Sequence, residues 1–127
     1  MSLLLDTHTL IWFLDNNTRL PITTRSRIET TPDVFISTAS LWEIAIKANI
    51  GKLELSAPFS TIESNLVALK ITQLPISFKD LEFYLSLPLH YRDPFDRLLI
   101  AQATHHSLVL VSQDTQMDAY SIQRLWS

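Results

Sequence analysis

Short apolar runs alternate along the chain with longer segments in which apolar residues recur at helical spacing. This alternation is typical of a parallel β-sheet whose strands are joined by helical crossovers. The length of 127 residues fits the usual size of one domain. The pattern therefore predicts a single α/β domain that spans residues 1–127.

The strand pattern appears in five places. We predict strands at Leu3–Leu5, Asp33–Ser37, Leu74–Ile76, Leu108–Val111 and Ile122–Trp126. The third of these contains Pro75, which cannot donate a ladder hydrogen bond, so we expect it at an edge of the sheet.

The helical pattern fills the segments between these strands. We predict helices around Trp12, over Ile22–Thr30, from Ser40 to a stop at Gly51, over residues 59–69, over Phe78–Leu87 and from Asp93-Pro94 to His106. The apolar spacing also predicts that Trp12 and Trp42 lie in the core. His105 and His106 fall in the last turn of their helix, where the helix dipole favours cations.

Composition and charge exclude several classes of function. Hydrophobic residues make up 46% of the chain, which is too apolar for a disordered segment. A net charge of −3 provides no general field for nucleic acid, and the absence of cysteine excludes disulfides and thiolate ligands. With Gly51 as its single glycine, the chain can build neither a P-loop nor a dinucleotide-binding loop.

Membrane insertion and secretion are disfavoured as well. No apolar run approaches the ~20 residues that a membrane-spanning helix needs. The amino terminus has no basic region, and Asp6 and Asp15 interrupt its apolar stretch, so it lacks a signal-peptide pattern. We expect a cytoplasmic protein.

Several acidic residues have an ordinary structural explanation when each is taken alone. Asp6, Asp93 and Asp114 are placed to cap the helices that follow them, and Asp96 suits the first turn of its helix. Glu43 completes a capping-box pattern with Ser40 and lies one turn before Lys47.

Taken together, four of these acids point to chemistry. Asp6 and Asp114 follow strands, whereas Glu43 and Asp96 are predicted in the first turns of helices that start at the same sheet edge. Convergent carboxylates repel one another unless they protonate or bind a cation, and oxygen ligands favour Mg²⁺ or Mn²⁺. One or two such ions could activate a water molecule and neutralise charge on a phosphodiester.

Four sequence segments carry a family resemblance: LLLDTHTLIW (3–12), SLWEIAIK (40–47), HYRDPFDRLLIAQA (90–103) and VSQDTQMDAY (111–120). In this order and spacing the chain resembles the PIN domain, most closely the VapC-type toxins of bacterial toxin–antitoxin modules.

The resemblance implies a three-layer α/β/α fold with a central, mainly parallel sheet, and a metal-dependent ribonuclease acting on RNA. It also implies a VapB-like antitoxin and a homodimer. By position, Asp6, Glu43 and Asp96 match the family's three central catalytic, metal-binding acids, and Asp114 matches its more variable fourth. Ser112 departs from the threonine that many relatives have two positions before that acid.

Residues around these acids are secondary candidates. Arg97, Arg92 and Lys47 are candidate phosphate or RNA contacts, with surface charge or ion pairing as the alternative. Thr7 is a candidate for orienting water. Asp93 and Asp118 are weak metal-site candidates, and for Asp93 we favour a helix cap. His8 lies nearest the predicted cleft, and we favour a structural role for it because the family's ligands are oxygens.

Two other functions remain open on the residues alone. One is a binding module that keeps the fold without catalysis, which the four intact acids disfavour. The other is a metal-dependent aspartyl phosphotransfer domain, but the segment Asp6-Thr7-His8 lacks the second aspartate of the usual D-x-D pair.

Overall fold

A computed structural model of the chain describes residues 1–90 and 93–127. Its centre is a five-stranded sheet in the order β3-β2-β1-β4-β5, and every neighbouring pair is parallel. The strands are β1 Ser2–Leu5, β2 Asp33–Ser37, β3 Ile71–Leu74, β4 Val109–Val111 and β5 Arg124–Leu125. The predicted parallel α/β architecture is therefore confirmed.

Helices connect the strands. They are α1 Thr7–Leu14, α2 Ile22–Thr30, α3 Thr38–Asn49, α4 Thr61–Ala68, α5 Phe78–Ser86 and α6 Pro94–His106, and a 3₁₀ turn covers Thr115–Ala119. Gly51 directly follows the end of α3 with a φ of +75°, a conformation in which a side chain is strained.

Each face of the sheet carries its own apolar core, which makes three layers. On β1, Leu3 and Leu5 pack with residues of α1, α2, α3 and α4. Leu4, which points to the opposite face, packs with residues of α6 and of the 3₁₀ turn. Both cores bury these leucines completely, so the sheet is covered on both sides.

Two element predictions need correction. The third strand lies at the sheet edge as expected but spans Ile71–Leu74, because the ladder with β2 ends before Pro75. Helix α3 starts at Thr38, two residues before the predicted start at Ser40. Its cap is Ser37, whose hydroxyl accepts from the backbone N–H of Ala39, so the expected Ser40–Glu43 capping box is wrong.

The positions of the tryptophans also differ in part. Trp12 packs against the first core, whereas Trp42 is 60% exposed and meets Phe95 edge-on at 5.4 Å. Within residues 1–90 and 93–127, no helix is long and apolar enough to cross a membrane.

Candidate active site

Asp6 occupies the turn between β1 and α1. Its carboxylate accepts a 2.8 Å hydrogen bond from the backbone N–H of Thr9 and so caps the helix, as predicted. The carbonyl of Val111, at the end of β4, accepts from the backbone N–H of Asp6 and from the Thr9 hydroxyl. These bonds hold the start of α1 against the carboxyl ends of the two central strands.

Glu43 enters the same region from α3, where it is the sixth residue and not part of the first turn. The side chain is buried, and each carboxylate oxygen has a partner. Oε1 accepts from the Thr7 hydroxyl at 2.6 Å, and Oε2 receives the Lys47 ammonium at 2.7 Å. The predicted pairing with Lys47 is present, and the hydroxyl of Thr7 is directed at a carboxylate.

Asp93 and Asp96 come from the amino-terminal end of α6. Asp93 caps the helix by accepting from the backbone N–H groups of Phe95 and Asp96, and Pro94 occupies the first turn. The predicted capping role of Asp93 is therefore present. This cap fixes the end of the helix at the sheet edge and leaves Asp96 among the other acids.

The electrostatics of Asp96 show how closely these acids approach. Burial, together with the negative charges of Asp93, Glu43 and Asp6, raises the pKa of Asp96 to about 7, against the opposing effect of Lys47. Three acids from three different elements therefore act on one carboxyl group. Asp6 and Glu43 are therefore close enough to Asp96 for their charges to act on it.

Asp114 lies between β4 and the 3₁₀ turn. Both residues line a cavity of about 430 Å³, together with His8, Trp12 and neighbouring residues. Asp114 also accepts from the backbone N–H of Gln116 and caps the 3₁₀ turn. The fourth predicted acid thus shares a cleft with the first.

This arrangement fits a divalent cation. A partly buried carboxyl with a pKa near 7, surrounded by further carboxylates, gains most from a positive charge that lets all of them ionise. The donors are oxygens, which hard ions such as Mg²⁺ and Mn²⁺ prefer. Asp6 connects this cluster to the cavity that it lines together with Asp114.

Arg97 does not join the acids. Its guanidinium is buried behind α6, where it donates to the carbonyls of Pro88 and Tyr84 and lies over the Tyr84 ring at 4.7 Å. The expected phosphate contact therefore gives way to a structural role, because the guanidinium donates to one carbonyl in the last turn of α5 and to another just beyond its end.

Two other secondary candidates fall elsewhere. Asp118 is exposed and pairs with Arg124 through two hydrogen bonds of 2.8 and 3.0 Å. Arg92 lies outside the described residues.

Sequence reasoning missed one cluster of ionisable residues away from this edge. Asp80, in the first turn of α5, contacts His105 and His106 at the end of α6. The position of Asp80 could have been predicted, because Ser77 and Asp80 form a capping box and the sequence shows the pattern Ser-x-x-Asp.

The comparisons with known proteins agree with this fold. The model of the PIN domain family matches residues 3–123. Among solved structures, the chain is similar to FitAB bound to an IR36 DNA fragment, with 17% identity, a TM-score of 0.66, and coverage of 97% of this chain and 93% of that one. FitAcB from Neisseria gonorrhoeae shows 18% identity and a TM-score of 0.65 over 97% of this chain and 96% of that one.

A toxin–antitoxin complex from Klebsiella pneumoniae is similar as well, with 19% identity and a TM-score of 0.62, covering 98% of this chain and 96% of that one. At these identities the likeness shows a shared fold. No curated protein matches the chain significantly in sequence.

Proposed function

Because the chain belongs to the PIN domain family, we propose that it is a Mg²⁺- or Mn²⁺-dependent endoribonuclease and the toxin of a VapBC-type toxin–antitoxin module. PIN domains are generally nucleases and usually use divalent metals. The similar solved structures include a toxin–antitoxin complex, which supports the proposed biological setting.

The observation that carries the proposal is the environment of Asp96. Its pKa of about 7 arises from burial and from the charges of Asp93, Glu43 and Asp6. A fold gains nothing in stability from such repulsion, so the cluster is best explained by a ligand that neutralises it. We assign Asp6, Glu43 and Asp96 as the metal-holding catalytic acids and Asp114 as the fourth.

The roles of the individual residues follow from their contacts. Thr7 and Lys47 fix the two oxygens of Glu43, so this carboxylate is already oriented. Asp96 has to lose its proton before it can act as a ligand, which places its working range near neutral pH. When bound, Mg²⁺ or Mn²⁺ lowers the pKa of water and neutralises charge on a phosphodiester.

The substrate has to approach from the side of the cavity that Asp6 and Asp114 line. The ammonium of Lys47 sits beside the acids and is the candidate cation for a backbone phosphate. Hydrolysis by water in line with the leaving oxygen would leave 5′-phosphate and 3′-hydroxyl ends.

A protein partner is part of the proposal, both as a VapB-like antitoxin and as a second copy of the chain. Three large apolar side chains on α5 support a partner-covered surface: Phe78, Leu81 and Leu85 are 80%, 48% and 85% exposed, and their spacing places them on one side of the helix. Light scattering would measure the oligomeric state, and co-purification with the product of a small neighbouring reading frame would test the antitoxin.

The nuclease proposal is tested by incubating the protein with a mixed pool of structured RNAs in Mg²⁺ and in Mn²⁺ and mapping the ends of any cuts. Two variants of matched chemistry are prepared identically. Asp96→Asn removes a carboxylate from the cluster, whereas Asp118→Asn removes an exposed one outside it.

We expect discrete, metal-dependent cuts with 5′-phosphate ends that disappear in Asp96→Asn and persist in Asp118→Asn. Cleavage that continues in excess chelator, or that leaves 2′,3′-cyclic phosphates, would contradict the mechanism. If the RNA pool shows the same ends after incubation with Asp96→Asn and with the unmodified chain, the result would favour a binding module without turnover.

A further inference from the structure

A second group of ligand-type side chains lies between α5 and α6. Oδ1 of Asp80 is 2.6 Å from Nδ1 of His105 and 3.0 Å from Nε2 of His106. These three atoms all lie within 4.8 Å of one another. One carboxylate oxygen and two imidazole nitrogens from two helices thus lie close together.

Hydrogen bonds to its second carboxylate oxygen hold Asp80 in place. The side chain is completely buried, and its other oxygen, Oδ2, accepts from the backbone N–H of Ser77 at 3.0 Å and from Nε2 of Gln102 at 3.1 Å. Gln102 is itself anchored, because it also donates to the carbonyl of Pro75. Hydrogen bonds of this kind fix the orientation of carboxylate ligands at metal sites.

The histidines form the open side of the group. About a quarter of the His105 side chain and a third of the His106 side chain are exposed, and the ring of His105 stacks on Phe83 at 5.0 Å. A water molecule could therefore complete a coordination shell on this side.

From this geometry we propose that Asp80, His105 and His106 form a binding site for a transition-metal ion, with Zn²⁺ as the best match. Two imidazole nitrogens and one carboxylate oxygen are a zinc ligand set, and such three-ligand sites keep a fourth position for water. Mg²⁺ is a poor match because it prefers oxygen donors.

The ligand spacing requires only a small adjustment. Zinc–ligand bonds of about 2.1 Å in a tetrahedral shell place ligand atoms roughly 3.4 Å apart. The observed separations of 2.6 and 3.0 Å from Asp80 would open by less than about one ångström, and the partly exposed imidazoles can make this shift because Asp80 is completely buried.

This site is distinct from the acidic cluster at the sheet edge. Asp96 and His105 belong to opposite ends of α6, and nine residues at 1.5 Å per residue separate them by about 14 Å along the axis. An ion at Asp80 would link the start of α5 to the end of α6. It would therefore stabilise the packing of these two helices.

The simpler explanation of the same contacts is hydrogen bonding alone. Neutral His105 with its proton on Nδ1 and neutral His106 with its proton on Nε2 can both donate to Asp80. This arrangement needs no metal and predicts no specific affinity for one, so the two explanations separate in a binding measurement.

The test is a Zn²⁺ titration by calorimetry in the presence of millimolar Mg²⁺, with Co²⁺ absorption as a spectroscopic report on the ligand shell. The site variant is His105→Gln/His106→Gln, whose amides can still donate to Asp80. The matched control is His8→Gln/His90→Gln, which changes the two remaining histidines of the chain. Every protein is also examined in an Asp96→Asn background, which disables the acidic cluster.

We expect one Zn²⁺ per chain that raises the melting temperature and persists in Asp96→Asn and in the His8/His90 control. The site variant should lose this Zn²⁺ or bind it at least about tenfold more weakly. The single variant His105→Gln should show the same loss if the double variant folds poorly. Equal Zn²⁺ affinity in control and site variants, or no binding to the unmodified chain, would overturn the proposal.

Discussion

Thr7 donates its hydroxyl hydrogen to Oε1 of Glu43 over 2.6 Å, which links the first residue of α1 to the middle of α3. Both side chains are buried, so water does not compete for this bond. With Lys47 on the other oxygen, Glu43 has one fixed orientation. A carboxylate that is oriented before a ligand arrives loses little conformational freedom on binding.

Replacing Thr7 by valine should therefore weaken metal binding at the acidic cluster. Valine has nearly the same shape but no hydroxyl, so Oε1 of Glu43 loses its partner and the carboxylate can rotate. We expect about 10–100-fold weaker Mn²⁺ binding, measured by calorimetry or electron paramagnetic resonance. Thr7→Ser keeps the hydroxyl and should bind Mn²⁺ like the unmodified chain; unchanged binding in Thr7→Val would remove the orienting role.

Asp96 should make the metal-free protein less stable as the pH rises. Its pKa is about 7 in the folded state and near 3.8 when unfolded, so the folded state holds the proton more tightly. Its contribution to stability is present at pH 4 and is lost as the pH approaches 7. The upper limit of this contribution to the free energy of unfolding is about 4 kcal/mol, and partial exposure of the Asp96 side chain reduces it.

Asp96→Asn should remove this decrease of stability with rising pH, because asparagine does not titrate. The measurement is urea unfolding of both proteins between pH 4 and 8 in chelator, with the difference between the two as the readout. Near pH 7 we expect the variant to be as stable as the unmodified protein or more so. A variant that is much less stable at every pH would show that Asp96 is mainly structural.

The pattern of the sequence located the strand-end acids correctly, and the reason is geometric. Asp6 directly follows β1, and Asp114 follows β4 closely, so a parallel sheet alone brings them to one edge. Glu43 was placed one turn too early, since Ser37 and Ser40 are both suitable caps. Nothing in the periodicity decides between two serines three residues apart.

The remaining differences come from contacts between elements. Asp80 and His105 are 25 residues apart in the sequence and come into contact because α5 packs on α6. No local sequence pattern encodes that pairing. The sequence makes Arg97 a candidate phosphate contact beside the acids. Its burial depends on the backbone of residues 84–88, whose carbonyls the side chain reaches from α6. Sequence periodicity predicts which face of an element is apolar. It does not predict polar contacts between elements such as these two.

Removing the charge of Lys47 should shift the pH dependence of metal binding. The Lys47 ammonium lowers the pKa of Asp96, so Lys47→Gln should raise that pKa above about 7. Mn²⁺ then has to displace a more tightly held proton, and the pH of half-maximal binding should move upward. Lys52→Gln, at an exposed position beyond α3, is the control and should leave this pH unchanged. A downward shift in Lys47→Gln would contradict the electrostatic role assigned to Lys47.

Arg97 should be needed for stability and not for phosphate binding. Its two terminal nitrogens reach the carbonyls of Pro88 and Tyr84, and the planar group lies over the Tyr84 ring. Lysine at this position keeps the charge but lacks the fork that bonds two carbonyls and the flat face that stacks on a ring. We expect Arg97→Lys to reduce the free energy of unfolding by about 1–3 kcal/mol, measured in urea.

The two roles of Arg97 separate when stability and turnover are measured on the same samples. Arg27→Lys, at an exposed position of α2, should change neither property. If Arg97 acts structurally, the folded fraction of Arg97→Lys should cleave RNA with an unchanged KM at a temperature where the variant remains folded. A raised KM with no loss of unfolding free energy would instead assign its guanidinium to the substrate, which its buried position between α6 and the end of α5 makes unfavourable.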